Sequence, residues 1–169
     1  YNGMNVKAIG DYAFTGCGSL TQVDFGNDLI SIGADAFNSS GITEDIVITP
    51  NIQTIGEGAF RNIKAKIYNL TDIEIDADNI VKTTSEGSCG ESTSYKIAGE
   101  YMAIRGSGVT EDYSENGQQY NEHINDIKSI YIQEGVTGLG SRVFCNFSNV
   151  TKAEIPETVE TIGAYAMAY

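Results

Sequence analysis

The stretch "VKAIGDYAF", Val6 to Phe14, returns as "LISIGADAF" at Leu29 to Phe37 and as "IQTIGEGAF" at Ile52 to Phe60. Two further versions follow later in the chain, "VTGLGSRVF" at Val136 to Phe144 and "VETIGAYAM" at Val159 to Met167. The starts at 6, 29, 52, 136 and 159 are spaced by 23 residues within each group. A fixed period of about 20 to 50 residues marks a stacked-repeat architecture. One such unit is too small to bury its own apolar side, so neighbours must cover one another.

Between the nonamers runs a second apolar pattern: Leu20, Val23, Phe25; Ile42, Ile46, Ile48; Leu70, Ile73, Ile75; Ile127, Ile130, Ile132; and Val150, Ala153, Ile155. Its closing pairs two residues apart place two apolar side chains on one face of an extended strand. In "IGDYAF" the apolar residues Ile9, Ala13 and Phe14 are spaced four and five apart, which suits one helical or 3₁₀ turn. The glycine after the isoleucine is expected to permit a tight bend. The predicted fold class is therefore α/β: a repeat solenoid with one short strand and one short helical or 3₁₀ turn per 23-residue coil.

The unit L-x-x-V-x-[IF]-x-x-x-[LV]-x-x-I-G-x-x-A-F, with "TGC" after the first Phe, resembles the BspA-type leucine-rich repeat of bacterial surface proteins. The chain has 21 Ile and 4 Leu, which fits a strand-heavy version of that repeat. Cys17 matches the family's "A-F-x-x-C", while Ile63 and Phe147 stand at the corresponding places after Phe60 and Phe144. "GSCGESTSYKIAGEYMAIRGSGVTEDY", Gly87 to Tyr113, is similar to a hairpin segment that often precedes such arrays. The resemblance implies a leucine-rich-repeat fold, a cell-surface or secreted location and adhesion to a host or matrix component.

The 169 residues carry a formal charge of −13, from 10 Lys and Arg against 23 Asp and Glu. Such a surface repels phosphate backbones and disfavours a nucleic-acid partner. No run approaches the 18 or so apolar residues of a membrane helix. The chain opens and closes in mid-pattern and reads as a piece of a longer protein. Cys17, Cys89 and Cys145 match no zinc or redox spacing and are expected as free thiols.

Three segments are expected: repeats over 1–82, a β-hairpin cap and polar connection over 83–126, and a second repeat block over 127–169. Inside the middle segment, "YKI" and "YMAI" flank "AGE", a hairpin signal suited to covering an open repeat end.

No catalytic constellation is legible, so no enzyme, cofactor or metal is expected. A single histidine, His123, rules out an HExxH pair, and "GSG" at 106–108 lacks the rest of a nucleotide fingerprint. The alternating acids Asp72, Glu74, Asp76 and Asp78 fail the EF-hand spacing and read as a solvated face. If coils superpose, outward residues form rows: Asp24, Val47 and Glu74, with Tyr131 and Glu154 in the later block. The preceding row is Gln22, Asp45 and Asp72, with Ser129 and Lys152. These ten residues form the expected docking face, mostly acidic in its first block, for a protein partner. The alternative is a carbohydrate-binding or spacer module using Tyr113, Tyr120 and Tyr131 as aromatic platforms.

Overall fold

A computed structural model describes residues 6–168. The chain divides into two compact units, Tyr1–Lys82 and Thr83–Tyr169.

In the first unit the nonamers supply strands β1 (Ala8–Ile9), β2 (Ser31–Ile32) and β4 (Thr54–Ile55). They form one parallel sheet in the order β1-β2-β4, with Ile9 facing Ile32 and Ile32 facing Ile55. A second parallel sheet, β3-β5-β6, joins β3 (Ile46–Ile48), β5 (Ile67–Asn69) and β6 (Ile80–Val81). A full coil therefore contributes two short strands, not one. Leu20 to Phe25 runs as irregular chain without strand pairing.

The expected helical turn after each Ile-Gly is absent, because the same position in every nonamer adopts a left-handed conformation. Tyr12 (φ 58°), Asp35 (φ 49°), Gly58 (φ 66°), Arg142 (φ 61°) and Tyr165 (φ 58°) occupy it. A side-chain-bearing residue there costs about 1–2 kcal/mol. The bend offsets that cost by aiming its amides at the next coil: Tyr12 N donates to Ala34 O at 2.9 Å and Phe14 N to Ala36 O at 2.7 Å. The pattern repeats at Asp35 N to Glu57 O (2.9 Å) and Phe37 N to Ala59 O (2.8 Å).

The glycine of Ile-Gly serves closeness, not the bend. A Cβ on Gly33 would lie 2.4 Å from Asp11 N, and one on Gly56 2.3 Å from Ala34 N. Neither glycine has a positive φ. With the backbones pressed this near, the phenylalanines form a column: Phe14 and Phe37 stack at 5.1 Å, and Phe37 and Phe60 at 5.7 Å with planes 2° apart. Around the column lie Ile32, Ile42, Ile46, Ile48, Ala65 and Ile67, all buried.

The second unit holds β7 (Ser85–Ser88), β8 (Thr93–Ala98), β9 (Tyr101–Gly106), β10 (Gly108–Val109), β11 (Ser129–Ile132), β12 (Val136–Leu139), β13 (Lys152–Glu154) and β14 (Thr161–Ile162). The expected hairpin is β8–β9, with Ala98 opposite Tyr101. It joins the repeats in one five-stranded sheet, β13-β11-β9-β8-β7, where β9 runs parallel to β11. The other sheet is β10-β12-β14.

The stretch Gly108 to Asn116, expected as polar connection, is a coil in other letters. Its β10 pairs with β12, and Tyr113 N donates to Ser141 O at 2.9 Å just as Tyr12 N does to Ala34 O. Asp112 Oδ1 accepts from Ser141 N, the role Asp11 Oδ1 plays for Ala34 N at 2.8 Å. That hydrogen bond holds the Asp112 carboxyl below the usual carboxylate range.

The core of this unit joins aliphatic strand residues to a cluster of aromatic rings. Tyr120 is fully buried, its ring 4.8 Å from Tyr95, 6.1 Å from Tyr113 and 6.0 Å from Phe147. Its hydroxyl donates to Val143 O at 2.7 Å, and burial pushes its pKa up. The one short 3₁₀ helix among the described residues, Asn121–His123, follows directly. His123 is half-buried there, with Nε2 3.4 Å from Glu122 and Nδ1 4.0 Å from Asp126.

Candidate binding surface

The later half of the expected face assembles as expected in register. Ser129 pairs with Lys152 and Tyr131 with Glu154 across β11 and β13. Lys152 Nζ lies 2.7 Å from Glu154 Oε1 and 5.4 Å from the centre of the Tyr131 ring. The hairpin extends the rows, placing Tyr101 beside Ser129 and Ala103 beside Tyr131, then Lys96 beside Ala103. Lys96 Nζ is 3.9 Å from Glu86 Oε2.

Burial limits what this patch can offer. Ser129 is 9% and Tyr131 4% exposed, while Lys152 and Glu154 are half-buried. The lysine and glutamate neutralise each other, so the four residues present little free charge. Tyr113 and Tyr120, expected as exposed platforms, are also buried at 7% and 0%. Their rings fill the core, and the aromatic-platform expectation fails for all three tyrosines.

The first unit departs further from the expected rows. Val47 pairs with Tyr68, and Tyr68 with Val81, so Glu74 is not the third member of that row. Asp45 precedes β3, and Ile46 N donates to Lys66 O at 2.8 Å, which puts Lys66, not Asp72, at its side. The cause is a shortened repeat: Ile67 follows Ile46 by 21 residues and Ile80 follows Ile67 by 13. Asn69 then turns the chain out of the sheet. Its Oδ1 accepts from Thr71 N at 2.9 Å and Thr71 Oγ1 at 2.7 Å, and its Nδ2 donates to Ile73 O at 2.8 Å.

Gln22 and Asp24 are exposed in irregular chain. Two hydrogen bonds bracket them beside the β3 region: Glu44 N to Thr21 O at 3.2 Å and Thr49 Oγ1 to Gly26 O at 3.1 Å. Asp24 Oδ1 accepts from Gly26 N at 3.0 Å.

Asp72 and Glu74 belong to a connecting segment whose exposure alternates strictly. Asp72, Glu74, Asp76 and Asp78 are exposed, while Ile73, Ile75 and Ala77 are half-buried against the first unit's core. The segment starts beside the end of β3, where Leu70 N donates to Ile48 O at 3.1 Å. Asp76 is tied down by Arg61 at 2.8 Å, a bond that keeps the guanidinium more firmly protonated. Carboxylates at every second residue of an extended chain stand roughly 6–7 Å apart. Sequence reasoning missed Tyr68 and Tyr101 on the outward rows; Ala65 and Ile67 flanked by Lys64 and Lys66 carried the signal for β5.

Among the described residues, no group of three or more His, Cys, Asp and Glu is placed to hold a metal ion, and no helix is long and apolar enough to cross a membrane. Cys89 is buried with its thiol pushed up to about 11 by desolvation, and Cys17 is exposed.

Comparison with curated proteins finds no match. Two solved structures are similar, both described as leucine-rich repeat proteins. One, from Eubacterium ventriosum ATCC 27560, shares 21% identity at a TM-score of 0.45, covering 48% of this chain and 23% of that one. The other, from Bacteroides ovatus ATCC 8483, shares 17% identity at a TM-score of 0.32, covering 96% and 57%. The chain thus spans less than two thirds of either. The model of the BspA type leucine rich repeat region matches six copies over residues 3–99 and 110–169, a span that includes the coil at 110–116. With that match over most of its length and the 23-residue ladder of Ile-Gly coils, the chain belongs to the BspA-type leucine-rich repeat family.

Proposed function

We propose that this chain is a non-enzymatic binding module of a secreted or cell-surface protein, built as a repeat solenoid, whose partner is another protein of basic character. Stacked coils hold side chains at fixed spacing over a surface larger than any one repeat, which is what repeat modules use for docking. The observation that carries the choice of surface is the alternation along 72–78: apolar residues anchor the segment and set Asp72 and Glu74 outward in a fixed comb, while Asp45, also exposed, precedes β3. With a net charge of −13, this side attracts a basic partner and raises the encounter rate in a salt-dependent way. Membership of the BspA-type family supports the extracellular part of this reading.

The test is interferometry of the wild type and of the triple variant Asp45→Lys, Asp72→Lys, Glu74→Lys against purified extracellular-matrix proteins, with a glycan array in parallel. The reading expects a protein hit that the triple variant loses while its melting temperature stays put. A hit that the triple variant retains removes the acidic comb from the site. Hits on glycans alone would replace a protein partner with a sugar.

A further inference from the structure

The corner that ends the coil Gly108 to Asn116 carries a reactive pair of residues. Asn116 is exposed and left-handed (φ 55°), a conformation that asparagine tolerates better than other residues with a side chain. Gly117, also exposed, follows without a positive φ, but a Cβ there would lie 2.5 Å from Ser114 Oγ and 3.3 Å from Ser114 O. Two separate backbone demands thus favour an asparagine and then a glycine at adjacent places. Chemistry makes that pair unstable. A glycine amide has no side chain to shield it, and it lies one residue from a carboxamide carbon with which it can close a five-membered ring.

Other asparagines of the array show what normally holds such a carboxamide in place. Asn38 is the counterpart of Asn116 in the first unit: Asn62 Nδ2 donates to Asn38 Oδ1 at 3.2 Å, as Asn146 Nδ2 does to Asn116 Oδ1 at 3.0 Å. Asn38 is half-buried and is pinned at both ends, its Nδ2 donating to Asp35 Oδ1 at 2.8 Å and its Oδ1 accepting from Ser39 Oγ at 2.9 Å. The left-handed Asn62 (φ 60°) and Asn146 (φ 70°) precede Ile63 and Phe147, buried residues whose bulk hinders the amide that would attack. Of these four, Asn116 alone meets an exposed glycine. Its restraints are light: the bond from Asn146, and Gly117 N donating to Ser114 O at 3.0 Å.

We propose that Asn116 and Gly117 form a self-modifying site, at which the folded chain converts Asn116 to aspartate and isoaspartate with water as the only co-reactant. Gly117 N gives up its proton to solvent and bonds to Asn116 Cγ, and the Cγ–Nδ2 bond breaks as ammonia leaves. Water then opens the succinimide. Addition at Cγ gives aspartate, whereas addition at the main-chain carbonyl carbon of Asn116 leaves the chain running to Gly117 through Cβ and Cγ, which is isoaspartate. No electrons are exchanged, and either product adds one negative charge to the −13 of the chain. Two neutral hydrogen bonds slow the attack by at most about a hundredfold. A site that opened only on global unfolding would be slowed by more than about a thousandfold.

The test is incubation of the folded 169-residue chain in mild alkali below its melting temperature, beside a synthetic peptide of Ser114 to Gln119, with peptide mapping at intervals. Mapping separates Asn116 from Asn2, the other asparagine followed by glycine, which lies outside the described residues. Aspartate and isoaspartate are expected at position 116 at a rate within about a hundredfold of the peptide's. Asn38, Asn62 and Asn146 are expected to convert several-fold more slowly than Asn116. Asn146→Gly keeps the left-handed corner and removes the bond on Asn116 Oδ1, and is expected to speed conversion several-fold with unchanged circular dichroism. An Asn116 that survives intact in the folded chain while the peptide converts fully overturns the proposal. So does conversion at Asn38 ahead of Asn116, or a folded Asn146→Gly variant that converts no faster than the wild type.

Discussion

Phe37 and Phe60, 23 residues apart in sequence, stack with ring centres 5.7 Å apart and planes 2° from parallel. That alignment is possible only if every residue between them is accommodated in one full coil, so it reports the register of the whole first unit. Phe37 is the central member, in contact with Phe14 on one side and Phe60 on the other. Replacing it with alanine is expected to cost about 3–5 kcal/mol, the usual range for a buried phenylalanine. Phe14→Ala, at a half-open position, is expected to cost clearly less. Urea unfolding of both variants checks the order; equal losses would contradict the column.

The close approach of coils predicts a sharp contrast between equivalent glycines. Gly56→Ala would put a Cβ 2.3 Å from Ala34 N, a backbone atom that cannot move aside cheaply, and is expected to destabilise by more than about 1–3 kcal/mol, the range for overpacking. Gly10→Ala, with open space around it, is expected to be neutral within about 0.5 kcal/mol. Thermal melts of the two single variants measure the difference.

The period was legible because an Ile, a small residue and a Phe must recur wherever backbones stack this tightly. The coil at Gly108 to Asn116 was not, because it meets the same backbone demands with other side chains. Asp112 there repeats the amide-capping role of Asp11, and the shared Asp-Tyr pair at 11–12 and 112–113 is the trace it left. The acidic row failed for a different reason. Matching apolar spacing selected Leu70, Ile73 and Ile75 as a strand, but Asn69 turns the chain out of the sheet immediately before them, and the strand is Ile67–Asn69. The outward position of Ser129 and Tyr131 was legible from alternation, whereas their burial was not, because two-residue periodicity assigns a side chain to a face without saying what lies over it.

Asp112 sets a pH dependence. Its folded pKa is depressed by the amide of Ser141, so its contribution is present above the unfolded value and is lost as pH falls through the folded one. The expected result is that wild type and Asp112→Asn differ most near neutral pH and converge in acid. Melting temperatures measured from pH 7 down to about 2.5 check this, bracketing the ordinary aspartate range near 3.9. A constant gap across that range would remove the carboxylate from the account.

Tyr120 is expected to be costly to change even conservatively. Tyr120→Phe leaves Val143 O without its buried donor, a loss of about 1–3 kcal/mol. Its hydroxyl is expected to resist ionisation until the second unit unfolds, since burial raises its pKa. Ultraviolet titration of wild type and variant in alkali separates this tyrosine from the exposed ones.

The cysteines should differ in reactivity by environment alone. Cys17 is exposed, whereas the Cys89 thiol is buried and raised to about 11. At pH 8 a thiol reagent is expected to label Cys17 promptly and Cys89 only on unfolding. Peptide mapping after short labelling checks it.

Coils superposed at a 23-residue step underlie the whole first unit, and ring contacts in solution test that superposition most directly. In the chain labelled at phenylalanine, nuclear Overhauser contacts are expected from the Phe37 ring to both Phe14 and Phe60, in line with separations of 5.1 and 5.7 Å. A Phe37 ring that contacts neither would contradict the stacked register, and the rows of outward residues derived from it would go as well.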